Sequence, residues 1–149
     1  MRFPAIGGRS LSLLAILWLL LRPAYSQDVE ILSTGVDGGA GDGASTQVRI
    51  SGDGLSATFT SSAPLLTLDQ DSIQDIYLFD PASKGLRIVS SDAGEKGDGD
   101  SQNPSIDFVG YNIVFSSDAH NLGVSNHNQM RDVFPVSYTH LTLPTSDLV

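Results

Sequence analysis

The chain has 149 residues and an acidic balance, with 17 Asp/Glu against eight Lys/Arg and a formal charge of −9. Three of the basic residues, Arg2, Arg9 and Arg22, precede Gln27, so residues 27–134 carry five Lys/Arg against sixteen Asp/Glu, a surface that repels nucleic acid and anionic lipid. There is no cysteine, which excludes disulfides, thiolate catalysis and Cys-ligated zinc.

The first segment has the three parts of an export leader. Arg2 and Arg9 give a positive start, Leu11–Leu21 an apolar run, and Ala24-Tyr25-Ser26 the small residues that precede cleavage before Gln27. An eleven-residue run falls short of the roughly 20 needed to cross a bilayer as a helix. Residues 1–26 are therefore expected to be a signal peptide, and the remainder a secreted or periplasmic chain with no stable membrane span after cleavage.

From Gln27 onward apolar residues come in short bursts separated by Gly, Asp, Ser and Asn, the punctuation of strands and turns. Four strands are expected in one stretch: Gln47–Ile50, Ser56–Ser61, Asp75–Asp80 and Leu86–Ser91. The second alternates, with Ala57, Phe59 and Ser61 on one face. The third, Ile76-Tyr77-Leu78-Phe79, is apolar on both faces and must be covered on both. Ser51-Gly52-Asp53-Gly54 and Asp80–Gly85 are the intervening turns.

The pattern recurs at an offset of 56 or 57. Ile31-Leu32-Ser33 matches Ile88-Val89-Ser90, and Gly41-Asp42-Gly43 matches Gly97-Asp98-Gly99. Ile50, Gly54, Phe59 and Leu66 match Ile106, Gly110, Phe115 and Leu122, while Asp75-Ile76-Tyr77 matches Asp132-Val133-Phe134. Self-similarity at such a period marks arrays and propellers, whose units bury their faces on one another. The fold class expected is all-β, with four-stranded antiparallel sheets stacked as β-propeller blades: one full blade at 47–91, a partial blade either side, and Val29–Ser33 as the last strand of a preceding one.

Gly97–Ile106, Ile113–Leu122 and Asp132-Val133-Phe134, with Ile50–Gly54, Phe59–Ala63 and Asp75–Asp80 in the first unit, resemble bacterial TolB-like, WD-repeat-like β-propeller repeats. The resemblance covers nearly all of Val29–Phe134 and implies an extracytoplasmic propeller that binds or scaffolds; it implies no reaction. Asp107-Phe108-Val109-Gly110 departs from the family's Ser, Gly, Asp and Gly, so an altered hairpin is expected there. Val136–Thr145 reads as the translation of a common transposon mosaic-end sequencing adapter. Residues 135–149 are accordingly expected to be a non-native tail, with the repeat breaking off at Phe134.

Little of the chain suggests catalysis. Apart from His140 in that tail, His120 and His127 lie in a polar loop, without a Gly-x-Ser-x-Gly elbow or an HExxH helix. One polar constellation repeats: Asp69, Asp71 and Asp75 align with Asn126, Asn128 and Asp132. Alternating oxygen donors on a turn fit part of a calcium shell, and they equally fit turns in which Asp and Asn bond their own backbone. The expectation is thus a non-catalytic binding or scaffolding protein without an obligatory cofactor, its ligand a protein, peptide or glycan. The alternative is the propeller part of a larger extracytoplasmic hydrolase or peptidase.

Overall fold

Short alternating strands bounded by Gly and Asp turns give an all-β chain. The structure, a computed structural model, describes residues 28–80, 83, 85–123 and 130–138. Strands β1 (Ser45–Ile50), β2 (Ala57–Ser61), β3 (Asp75–Asp80) and β4 (Gly85–Ile88) form a four-stranded sheet in chain order. A hairpin of β5 (Ser91–Asp92) and β6 (Glu95–Lys96) follows, then a three-stranded sheet of β7 (Ser101–Ile106), β8 (Asn112–Ser117) and β9 (Asp132–Ser137). All pairings are antiparallel. Among the described residues no helix is long and apolar enough to cross a membrane. Residues 1–26, the expected leader, lie outside the described residues.

Equivalent details sit 56 residues apart in the two larger sheets. The β1–β2 register slips between Thr46 and Arg49, and the β7–β8 register slips between Gln102 and Ser105. At these bulges Gln47 and Asn103 take φ 53° and 56°, the left-handed backbone that lets one strand carry an extra residue. Ser45 Oγ donates to Ser61 Oγ at 3.0 Å, and Ser101 Oγ to Ser117 Oγ at 2.9 Å. The Ala63 and Ala119 amides donate to Ser61 Oγ and Ser117 Oγ, both at 3.0 Å. The change of offset from 57 to 56 also has a place: the Thr34–Ala40 bridge encloses one residue more than the Ser91–Lys96 pair.

Alternation along β3 directs its side chains to two cores. Ile76 and Leu78, with Val89, pack against Ile113, Phe115, Ala119 and Leu122 of the three-stranded sheet. Tyr77 turns the other way and joins Phe59, Ala63, Leu65 and Ile88, with Leu32 packed against them. The Phe59–Tyr77 and Phe115–Phe134 rings stack at 5.7 and 5.9 Å. Each large side chain so buried contributes roughly 1.5–3 kcal/mol. A polar seam joins the sheets: the Asn103 amide donates to Gln47 Oε1 (2.6 Å), Gln102 Nε2 to Gln74 Oε1 (2.5 Å), and the Gln74 amide to Asp100 Oδ1 (2.9 Å).

Two expectations need correction. Val29–Ser33 forms no strand; only Thr34 bridges, to Ala40, because a fourth strand needs a third beside it and none is present there among the described residues. The Asp107–Gly110 hairpin is altered in its side-chain bonds but keeps its backbone turn: Gly110 (φ 81°) and Gly54 (φ 75°) close matching turns, since only that position requires a positive φ. Asp107 Oδ1 accepts the Tyr111 amide at 2.8 Å, whereas Asp53 Oδ1 accepts the Leu55 amide at 3.0 Å. Strand β9 itself runs past Phe134 and pairs through Pro135 and Val136 to Ser137. The Tyr138 amide bonds the Tyr111 carbonyl at 2.7 Å, so the alternation of antiparallel pairs puts Pro135 opposite Val114 in a non-bonded pair. Proline there sacrifices no ladder bond. Residues 139–149 lie outside the described residues.

Candidate functional site: a lysine among three carboxylates

The loop between β2 and β3 carries Asp69 and Asp71, and Asp75 opens β3. One carboxylate oxygen from each lies within 4.8 Å of the others, so their mutual repulsion favours a nearby cation. Lys96, at the end of β6, supplies it. Its Nζ stands 2.9 Å from Asp75 Oδ2, 3.1 Å from Asp71 Oδ1 and 3.9 Å from Asp69 Oδ1. The Lys96 side chain is 10% exposed and those of Asp69 and Asp75 are fully buried, whereas Asp71 faces solvent.

The remaining oxygens are also engaged. Ser90 Oγ donates to Asp75 Oδ1 at 2.7 Å and accepts the Ile76 amide at 3.1 Å. The Tyr77 hydroxyl donates to Asp69 Oδ2; the Ala63 carbonyl is 3.2 Å from the same hydroxyl, and the Leu65 amide donates to it at 3.4 Å. Asp71 Oδ1 accepts the Ile73 amide at 2.9 Å, an Asx turn. Among the described residues no buried side-chain nitrogen or oxygen is left without a partner.

The charges respond to this packing. Burial pushes the Asp75 carboxyl up to about 6, against hydrogen bonds from Lys96 and Ser90 that pull it down. Burial also raises the Tyr77 hydroxyl, and the bond to Asp69 raises it further. Burial opposes the charge of Lys96, yet Asp75 and Asp71 outweigh it and raise its pKa. For Asp71 burial is likewise the largest single influence and upward, but the Ile73 amide and Lys96 together hold the group below the ordinary carboxylate value.

Of the six candidate metal ligands, the structure brings Asp69, Asp71 and Asp75 together. Asp132 stands apart at the start of β9, opposite Ser117; Asn126 and Asn128 lie outside the described residues, as do His127 and His140. His120 is half exposed, with its amide bonded to Asp98 Oδ1 at 2.6 Å. Sequence reasoning missed Lys96, Ser90 and Tyr77. One signal was present: Lys96 is one of five Lys/Arg in residues 27–134 and stands 56 residues after Ala40.

Comparison of the chain with protein-family models, with curated proteins and with solved structures gives no match.

Proposed function

We propose that the chain is an exported, non-catalytic β-propeller repeat segment that binds or scaffolds through stacked sheets. The observation that carries this reading is the recurrence, 56 residues apart, of the bulge, the hairpin and the serine pair on two sheets packed face to face. Units of that kind bury one another's faces and leave loops at their ends for ligands. The carboxylate cluster fits the same role. Lys96 offsets part of its charge and bridges Asp71 and Asp75, so it serves as a structural lock between the hairpin and the four-stranded sheet.

The test is to immobilise the exported chain, probe it with glycan and peptide arrays, and assay it in parallel against ester, peptide and phosphoester substrates. Specific retention without turnover is the expected result. Turnover abolished by His120→Ala overturns the reading, as does a reporter fused after residue 40 that stays inside the cell.

A further inference from the structure

The turn that joins β1 to β2, Ser51–Ser56, and the turn that joins β7 to β8, Asp107–Tyr111, lie side by side. The Asp53 amide donates to the Phe108 carbonyl at 2.9 Å. The Phe108 ring lies against Gly52, where any Cβ would come within 2.2 Å of it, and a Cβ on Gly110 would stand 2.7 Å from Ser56 Oγ. The backbone of the two turns recurs, but their exposed side chains do not. Where the first carries Gly52 and Asp53, the second carries Phe108 and Val109. Phe108 is 69% exposed, Leu55 63% and Val109 44%. Packing on Gly52 thus accounts for only part of Phe108. Large apolar side chains grouped on turns, where small and polar residues are the rule, mark a contact surface.

Charge indicates what such a surface takes. A hydrogen bond from Ser51, with one from the Leu55 amide, holds the Asp53 carboxyl below the ordinary carboxylate range, and the Asn112 side chain does the same for Asp107. Both groups are ionised, and the charge of Asp107 acts against that of Asp53. Among the described residues neither stands in an ion pair, and the described cations are engaged elsewhere. Arg49 bonds the Val48 carbonyl, Arg87 pairs with Asp80, Lys96 with Asp71 and Asp75, and Arg131 with Asp118. Another copy of this acidic chain would add like charge, so the complement is a different molecule. The patch also lies at strand ends, not on a sheet face, and is therefore not the surface on which a further sheet stacks.

We propose that the paired turns dock a peptide that carries basic side chains beside aliphatic ones, the bases facing Asp53 and Asp107 and the aliphatic groups packing on Leu55, Phe108 and Val109. This rests on the binding reading above and names the ligand's chemistry.

Fluorescence anisotropy on the exported full chain tests this with three short labelled peptides, alternating lysine with leucine, lysine with serine, or glutamate with leucine. The Lys-Leu peptide is expected to bind, more weakly as salt is raised, and the other two are expected not to. Asp53→Asn removes the charge but keeps the oxygen that accepts from Ser51 and the Leu55 amide, and Phe108→Ser removes the ring. Each is expected to weaken binding of the Lys-Leu peptide about tenfold, with an unchanged circular dichroism spectrum. Equal binding of either control peptide, or an affinity that either substitution leaves unchanged, overturns the proposal. Specific retention of a glycan without binding of the Lys-Leu peptide also overturns it but leaves the binding role standing, whereas turnover of a substrate overturns that role itself.

Discussion

Replacing Lys96 by Met removes the one cation among Asp69, Asp71 and Asp75 while keeping the length of the side chain. Two of those carboxylates are fully buried, and leaving a buried charge without its partner costs about 3–5 kcal/mol. A domain of this size has roughly 5–15 kcal/mol of net stability, so a large share of it is at stake. The pH dependence follows from Asp75, whose carboxyl burial pushes up to about 6 from 3.8. The folded state holds that proton more tightly than the unfolded chain does. The group's effect on stability is therefore most favourable below about pH 4 and declines as pH rises through about 6, a loss of roughly 3 kcal/mol for a two-unit shift. Lys96 works against this rise, so in Lys96→Met the decline extends to higher pH. Urea midpoints measured from pH 4.5 to pH 8 should show a gap between variant and wild type that widens with pH. A variant within about 1 kcal/mol of wild type at neutral pH, or a gap that does not vary with pH, would refute the reasoning.

Calcium is expected to leave the melting temperature of the wild-type chain unchanged, because Lys96 already stands among the carboxylates; a chelator-sensitive melt would restore the calcium reading. Tyr77→Phe deletes the hydroxyl bonded to Asp69 and Leu65 and should cost about 1–3 kcal/mol in chemical denaturation. Gly99→Ala sets a Cβ 2.7 Å from the Asp118 backbone carbon and 2.8 Å from the Ala119 nitrogen, with an expected cost of about 1–3 kcal/mol by thermal melting. Ala93 holds φ 49° in the two-residue turn between β5 and β6, a conformation that Asn accepts more readily. Ala93→Asn should consequently raise stability by up to about 1 kcal/mol, and a fall would refute that account of the turn.

Much of the architecture was legible because strand signals are local. Alternation in Ala57–Ser61, the doubly apolar Ile76–Phe79 and the Gly-Asp turns placed the four-stranded sheet to within a few residues. The hairpin at Ser91–Lys96 was not legible, since Ala93-Gly94 is an unusual pair for a turn with two positive φ values. Nor was the continuation of β9 through Pro135, which depends on whether its missing N–H faces the ladder, a matter of register that composition does not reveal. The candidate site was half legible. Asp69, Asp71 and Asp75 were visible as a spacing, but their partner lies 21 residues beyond Asp75, and only the fold brings Lys96 back to them.

The placement of that lysine bears on how the sheets find their order. Apolar faces alone specify it weakly: Ile76 and Leu78 meet Ile113 and Phe115 through contacts that many hydrophobic surfaces of similar shape could make. The polar groups are less interchangeable. Asp75 needs Lys96 and Ser90, Gln47 needs the Asn103 amide, and Gln74 needs Asp100 and Gln102. A sheet offered in the wrong order would leave the buried Asp75 without its partners, at a higher cost than the ~1–3 kcal/mol of a neutral group, and would break the part-buried and exposed amide contacts at the seam. The first unit has Ala40 where the second has Lys96, so the unit that follows Asp75 cannot be replaced by a copy of the unit that precedes it without stranding the carboxylates. Burial thus supplies most of the stability of the stack, while the lysine lock and the amide seam determine which sheet belongs on which.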